Sequence, residues 1–264
     1  MLTAKTVSGG RRGAAVRVVK LGGNELDRPG WLADCAQAVA RAGSVVVVHG
    51  GGAAITSLSE RLGLPVDKRD GLRVTTPEVA EVVEMVLAGP VNRRVVTALR
   101  AAGLDALGLA GADGGLLTAE QAPGALGLVG RVTAVRAGLL DSLLLAGLTP
   151  VVAPLAPQAD GTVLNVNADD AAAAVAGALN AEELLQISDV AGVVVDGAVS
   201  ATLAEAEIEG LIARGVVTGG MAAKLRAAAA ALALGVRAVR IGGPALLTDP
   251  AAGTRVLATA LQPA

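Results

Sequence analysis

Lys20 interrupts the apolar run VVKL immediately ahead of the glycine pair Gly22-Gly23. A lysine on an otherwise apolar strand would bury its charge, so it needs an anionic partner, and phosphate is the obvious one. The glycines fit the same chemistry, because a glycine turn at the carboxyl end of a strand lets backbone N–H groups approach a phosphate with no Cβ in the way. A second such turn, Gly50-Gly51-Gly52, follows VVVV and His49 and precedes a helical stretch, so the two could share one phosphate chain. Tight-turn geometry alone is the competing explanation for both. Neither turn is a G-x-x-x-x-G-K-[ST] loop or a G-x-G-x-x-G fingerprint, which lowers the weight of a P-loop and of a standard dinucleotide fold.

Further along, LNVNADD carries Asn165, Asn167 and Asp169 at alternating positions, which in an extended segment project to one side. Asp169 or Asp170 also stands where an N-cap or dipole partner of the helix DAAAAVAGAL belongs, although capping does not require two asparagines. TGGMAAKLRAAAAALALG reads as a glycine turn running into a helix whose first turns carry Lys224, on its own equally well a solvated helix lysine. Two lysines with an aspartate between them suit phosphoryl transfer, which needs positive charge on the migrating group and little covalent chemistry. His49, the single histidine, has no nucleophile or orienting carboxylate near it in sequence and reads as a neutral residue holding the strand end.

The elements that must position these groups alternate. AVRVVKLGG, WLADCAQAVARAG, SVVVVHGGG and AAITSLSERLG read as strand, helix, strand, helix, the rhythm of an α/β fold whose parallel sheet is covered on both faces. PEVAEVVEMVLAGPVNRRVVTALRAAG reads as a helix, followed by the run DALGLAG, the helix LLDSLLLAG and the strand TPVVAPLA. ELLQISDVAGVVVDG looks like a new strand and loop, ahead of a last helix and strand. PVDKRDGLRVT has strand-turn-strand character around Asp70-Gly71, a hairpin of the kind that covers a site. A soft boundary near residues 177–180 divides a lobe over 16–178 from a smaller one over 179–264, and residues 1–15 read as a flexible tail.

Composition narrows the function classes. The net charge is −2 with scattered positive residues, and Trp31 is the only aromatic residue, so neither the electrostatic footprint nor the stacking platforms of a nucleic-acid binder are present. A small molecule is the expected partner. The single cysteine, Cys35, offers no disulfide framework or Cys/His metal cluster and fits a reducing cytoplasm. The uncharged stretch over 142–159 contains Pro150, Pro154 and Pro157, which suits a helix end, a strand and a loop better than a membrane span.

In order along the chain, VVKLGGNEL, VVVVHGGG, PVDKRDGLRVT, GPVNRRVVTALRAAG, LNVNADDAA, ISDVAGV, VTGGMAAKL and GTRV resemble the amino acid kinase family, and within it the N-acetylglutamate kinases, over about residues 16–257. That resemblance implies a three-layer α/β/α sandwich with a mostly parallel, about eight-stranded central sheet in two lobes. The first, 16–178, would take the acyl amino acid and make dimer contacts, and the second, 179–264, would take ATP. The implied reaction moves the γ-phosphoryl group of ATP to the side-chain carboxylate of N-acetyl-L-glutamate, the second step of arginine biosynthesis. Mg²⁺ would be bound through the ATP phosphates, with no metal site on the protein.

Carried over residue by residue, Lys20 and Lys224 match the lysines that stabilise the transition state, and Asp169 matches the aspartate that organises them. Gly23, Gly51 and Gly52 match the glycines whose amides receive the phosphoryl group and substrate. Arg73 matches the arginine that grips the substrate α-carboxylate, and Asn165, with Asn167 beside it, the asparagine that binds the same amino acid. Ser188, Asp189, Val216, Val217, Thr218, Gly220 and Met221 match the nucleotide-binding loops. Two departures stand out: GGM where an acidic residue would precede GM, and Gln186 in a strand that is usually apolar. The tail lacks the apolar stripe of the extra helix found in arginine-inhibited hexamers, so an arginine-insensitive cytoplasmic homodimer is expected. A kinase for the one-methylene-longer acyl-aminoadipate of lysine biosynthesis and a non-catalytic amino acid or nucleotide sensor on the same fold are the alternatives.

Overall fold

The computed structural model describes residues 15–69 and 71–258, so the expected tail before residue 15 and Asp70 of the expected turn lie outside the described residues. The first half of the chain forms β1 (Arg17–Leu21), α1 (Trp31–Val39), β2 (Val45–His49), α2 (Gly52–Arg61), β3 (Lys68–Arg69), β4 (Leu72–Arg73), α3 (Pro77–Val86), α4 (Asn92–Ala101), β5 (Ala106–Ala110), β6 (Leu117–Gln121) and β7 (Val129–Val135). Then come α5 (Ala137–Leu145), β8 (Thr149–Ala153), β9 (Leu155–Pro157), β10 (Val163–Val166), α6 (Ala168–Ala178), β11 (Glu183–Ile187), β12 (Val194–Val195), β13 (Ala198–Val199), β14 (Thr202–Ala204), α7 (Ile208–Ala213), α8 (Gly219–Ala233), β15 (Ala238–Gly242) and β16 (Thr254–Leu257).

Eight strands make the central sheet, in the order β14-β16-β15-β11-β1-β2-β8-β5. Only the β15–β16 pairing is antiparallel, with β14 running parallel to β16 at the edge. The inner strands are nearly continuous Val, Leu and Ile because helices cover both faces and neither face can be polar. Alternate residues sort between the two faces. Val18, Val46, Val48, Leu184 and Val239 pack with α6 and α8, whereas Val19, Leu21, Val47, Leu185 and Ile187 pack with α1, α3 and α4. The result is the expected three-layer α/β/α sandwich.

With almost no aromatic residues available, the layers close on small side chains. The packed helices α6 and α8 bury chiefly alanine, including Ala171, Ala172 and Ala176 on the first and Ala227, Ala228 and Ala231 on the second. Their far ends meet at Gly177, where an added Cβ would lie 2.5 Å from the Cβ of Leu234.

The structure departs from the sequence reading in two elements. The stretch read as one helix after Pro77 is two, because Gly89 leaves helical dihedrals (φ −97°, ψ −112°) and Pro90 supplies no N–H, so the chain kinks between α3 and α4. A second sheet, β6-β7-β10-β9, covers part of the α6 side, and its β6–β7 hairpin had no strong local signal. The expected hairpin does form, as β3 and β4 with Gly71 at φ 83°.

Because a Cβ at position 177 would run into the Leu234 side chain, Gly177→Ala should lower stability in urea unfolding by about 1–3 kcal/mol, the usual cost of overpacking. A variant as stable as the parent would mean that the two helices can separate without loss.

Candidate active site

β1, β2 and β11 run parallel and in register, so their carboxyl ends open on one edge of the sheet. The turns that follow them, at Gly22-Gly23, Gly50–Gly52 and Ser188-Asp189, wall a cavity of about 380 Å³. Gly23 is needed for backbone proximity, since a Cβ there would collide with the amide nitrogen of Gly51, whereas a Cβ on Gly51 would press only on the Leu87 side chain. Two sets of N–H groups thus sit side by side where a phosphate chain would lie.

At the base of this wall Lys20 reaches Asp169, Nζ to Oδ1, at 2.9 Å, and Lys224 approaches the same oxygen at 3.4 Å. The three come from β1, the start of α6 and the second turn of α8. Asp169 does not extend the alternation of Asn165 and Asn167, nor does it cap the helix. Asn167 is the N-cap, its Oδ1 accepting the N–H groups of Asp169 at 2.8 Å and Asp170 at 3.3 Å. The cap starts the helix one residue before Asp169 and frees its carboxylate for the lysines.

Burial opposes charge on all three groups, and their mutual attraction decides the outcome. Burial would lower the Lys20 ammonium, but Asp169 outweighs it and leaves the group above its ordinary value. Burial would raise Asp169, and the two ammonium groups hold it below the usual carboxylate range. Lys224, more distant from the carboxylate, is pulled down to about 8 by burial and by the charge of Lys20. At close range two ammonium groups share a single carboxylate, an arrangement that leaves both able to turn toward an incoming anion.

A second end of the cavity is built around Arg73. Its Nη2 donates to the Gly52 carbonyl at 3.0 Å and to Thr56 Oγ1 at 2.7 Å, while the buried Nη1 has no partner. Thr75 donates its hydroxyl to the Arg73 carbonyl at 2.9 Å and accepts from Asn165 Nδ2 at 3.1 Å, which locks the two substrate candidates to each other. An orphaned guanidinium N–H at a cavity wall suits a carboxylate.

The cavity therefore brings together Lys20, Gly23, Gly51, Gly52, Arg73, Asn165, Asn167, Asp169, Ser188, Asp189, Gly220, Met221 and Lys224. Val216, Val217 and Thr218 stand outside its wall: Val216 is exposed, Val217 is in the core and Thr218 precedes the first turn of α8. The sequence reading missed Asn24, Glu25, Lys68, Leu87, Val129 and Pro154, which line the same space. Asn24 and Glu25 directly follow the first glycine pair and were within reach of a local reading. Leu87, Val129 and Pro154 arrive only through the α3–α4 kink and the second sheet.

His49 is completely buried beneath this wall. The Gly50 carbonyl can only accept, so Nδ1 carries the hydrogen and donates to it at 2.9 Å, leaving Nε2 to accept from Asn92 Nδ2 at 3.0 Å. Asn92 also donates to the Val151 carbonyl at 3.0 Å, tying the strand end to α4. Burial pushes the His49 imidazole down to about 4, so it is neutral at pH 7 and serves as a structural strut. Cys35 is likewise inert, its buried thiol pushed up to about 12. Among the described residues no cluster of three or more His, Cys, Asp or Glu could hold a metal, and no helix is long and apolar enough to cross a membrane.

The His49 shift makes a stability prediction. Its folded pKa lies below the unfolded value of 6.5, so the unfolded chain binds the extra proton between them and stability falls as pH drops from 6.5 towards 4. That group should account for about 2–3 kcal/mol lost by pH 4.5, and urea unfolding of His49→Gln at pH 7 and 4.5 should show a shallower acid dependence than the parent.

The amino acid kinase family matches residues 15–243. The acetylglutamate kinase of Chloroflexus aurantiacus is 49% identical over 245 residues, covering 91% of this chain and 96% of its own. That of Methanopyrus kandleri is 47% identical over 233 residues, covering 84% and 92%. Among solved structures, smu.665 of Streptococcus mutans UA159 superposes with a TM-score of 0.82 at 32% identity, covering 92% of this chain and 98% of its own. With glycine turns, lysine pair and carboxylate all inside the matched region, the chain belongs to the amino acid kinase family.

Proposed function

We propose that this chain transfers the γ-phosphoryl group of ATP to the side-chain carboxylate of N-acetyl-L-glutamate, forming N-acetyl-L-glutamyl 5-phosphate in the second step of arginine biosynthesis. The observation that carries this reading is the buried Lys20–Asp169–Lys224 cluster beside two contacting glycine turns. Likeness to acetylglutamate kinases over nearly the whole chain supports it.

The acceptor is ionised at neutral pH, so its oxygen attacks the γ-phosphorus without a base, and the bond to the bridging oxygen breaks to release ADP. N–H groups of Gly23, Gly51 and Gly52 hold the migrating group. Lys20 and Lys224 offset the negative charge spreading over its oxygens, and Asp169 keeps both ammonium groups in place beforehand, so little reorganisation is needed. Arg73 and Asn165, with Asn167 beside them, take the acyl amino acid, Arg73 through its free Nη1. Ser188, Asp189, Gly220 and Met221 take the nucleotide, with Val216, Val217 and Thr218 shaping the turn that presents Gly220.

A Mg²⁺ ion fits as cargo of the nucleotide. Asp169 is engaged by two lysines, whereas Glu25 at the cavity wall has a buried Oε2 without a partner and would face the hydration shell of an ion held by the phosphates. When bound, the ion supplies charge neutralisation along the phosphate chain. In this reading residues 16–178 bind the acyl amino acid and dimerise, residues 179–264 bind ATP, and the protein is an arginine-insensitive cytoplasmic homodimer.

Trapping the acyl phosphate as hydroxamate should show ATP-dependent product from N-acetyl-L-glutamate, with Lys224→Ala lowering kcat by about 10²–10³, as for loss of one preorganised electrostatic contact. No product from the parent protein would defeat the reading. N-acetyl-L-aminoadipate should be used at least about tenfold less efficiently, since one methylene is worth roughly 1–3 kcal/mol. Because Lys224 titrates near 8, ATP affinity by calorimetry should hold below that pH and weaken above it. Lys224→Arg should keep the affinity at pH 9, whereas a flat profile in the parent would show that Lys224 lends no charge to the nucleotide.

A further inference from the structure

Gln186 lies on β11 in register with Lys20 on β1 and Ile241 on β15. Register partners on neighbouring parallel strands point to the same face with their Cβ atoms about 5 Å apart. Leu184, Val239 and Ile241 place that face under α6 and α8, so the Gln186 side chain shares the layer of Lys20 beneath the Lys20–Asp169–Lys224 cluster. It is completely buried, and neither its Nε2 nor its Oε1 has a partner.

An amide orphaned at both ends is a standing cost that an apolar side chain of equal length would avoid. Its neighbour supplies a reason to keep it. Lys20 carries three donors. The charged groups facing it are Asp169 and, farther off, Asp170 on α6, Lys224 on α8 and Glu25 on the loop after β1, and the 2.9 Å contact to Asp169 is its close ion pair. A carboxylate at position 186 would add a further negative charge beside Lys20 and compete with an incoming anion, and an apolar residue would offer no acceptor. An amide offers an acceptor without a charge.

We propose that Gln186 is a positioning residue for phosphoryl transfer: through one buried water its amide oxygen takes up a hydrogen bond from the Lys20 ammonium and steadies it against Asp169. The inference rests on the phosphate-binding role given to Lys20 above.

The test compares Gln186→Met, which keeps the length and removes the acceptor, with Gln186→Glu, which keeps an acceptor and adds a charge. The lysines are Lys5, Lys20, Lys68 and Lys224, few enough to follow the ¹⁵N-labelled ammonium groups individually by NMR at neutral pH. Gln186→Met should speed hydrogen exchange at the Lys20 ammonium and lower kcat with little change in either KM, each by about tenfold, the equivalent of roughly 1.4 kcal/mol. Gln186→Glu should retain the slow exchange while weakening ATP binding. Unchanged exchange and kcat in the Met variant, with only a raised Tm, would overturn the proposal. If that variant does not fold, fast exchange in the Glu variant would overturn it instead. Failure of the parent to phosphorylate N-acetyl-L-glutamate would defeat the functional reading, whereas the exchange rates judge Gln186 separately.

Discussion

One carboxylate shared by two buried ammonium groups is the constraint on which the rest of the site depends. Asp169 is costly to bury alone, and so is either lysine, yet together they remain charged because each offsets the desolvation of the next. The balance is unequal. Lys20, in close contact, is held firmly protonated, and Lys224, farther off, is held loosely. That difference gives the cluster one firmly held cation and one held less firmly.

Keeping these groups within reach is a problem of helix packing. Asp169 and Lys224 sit on different helices, so their separation is set by how closely α6 and α8 approach each other over the sheet. Alanines at the buried positions, and Gly177 against Leu234 at the far end, permit that close approach. Small side chains at this interface thus bear on the site through packing. A bulkier interface would move the helices apart and loosen the charge cluster.

The wall opposite is held by hydrogen bonds and turns. Neutral His49 and Asn92 tie the end of β2 to α4 and Val151, which fixes the turn at Gly50–Gly52. Thr75 joins Arg73 to Asn165, so that end of the cavity is held by the protein's own hydrogen bonds. Such preorganisation is where electrostatic catalysis gains most, since few groups need to rearrange during the reaction.

By itself the sequence determined the alternating α/β architecture, because strands covered on both faces must read as continuous apolar runs and their helices as separate stretches. It also marked Lys20 and the glycine turns, since a charge on an apolar strand and glycines at strand ends are legible locally. Tertiary structure decided what local pattern cannot contain. Asn167 rather than Asp169 caps α6, because a cap is chosen by where the chain turns into the helix. Leu87 reaches the cavity, and Asn92 the buried His49, through a kink whose direction depends on packing, and Val129 and Pro154 arrive through a sheet that pairs distant segments. Gln186 shows the division most clearly: its oddity is visible in the run ELLQISD, but only strand register places it beside Lys20, since pairing joins residues far apart in the chain.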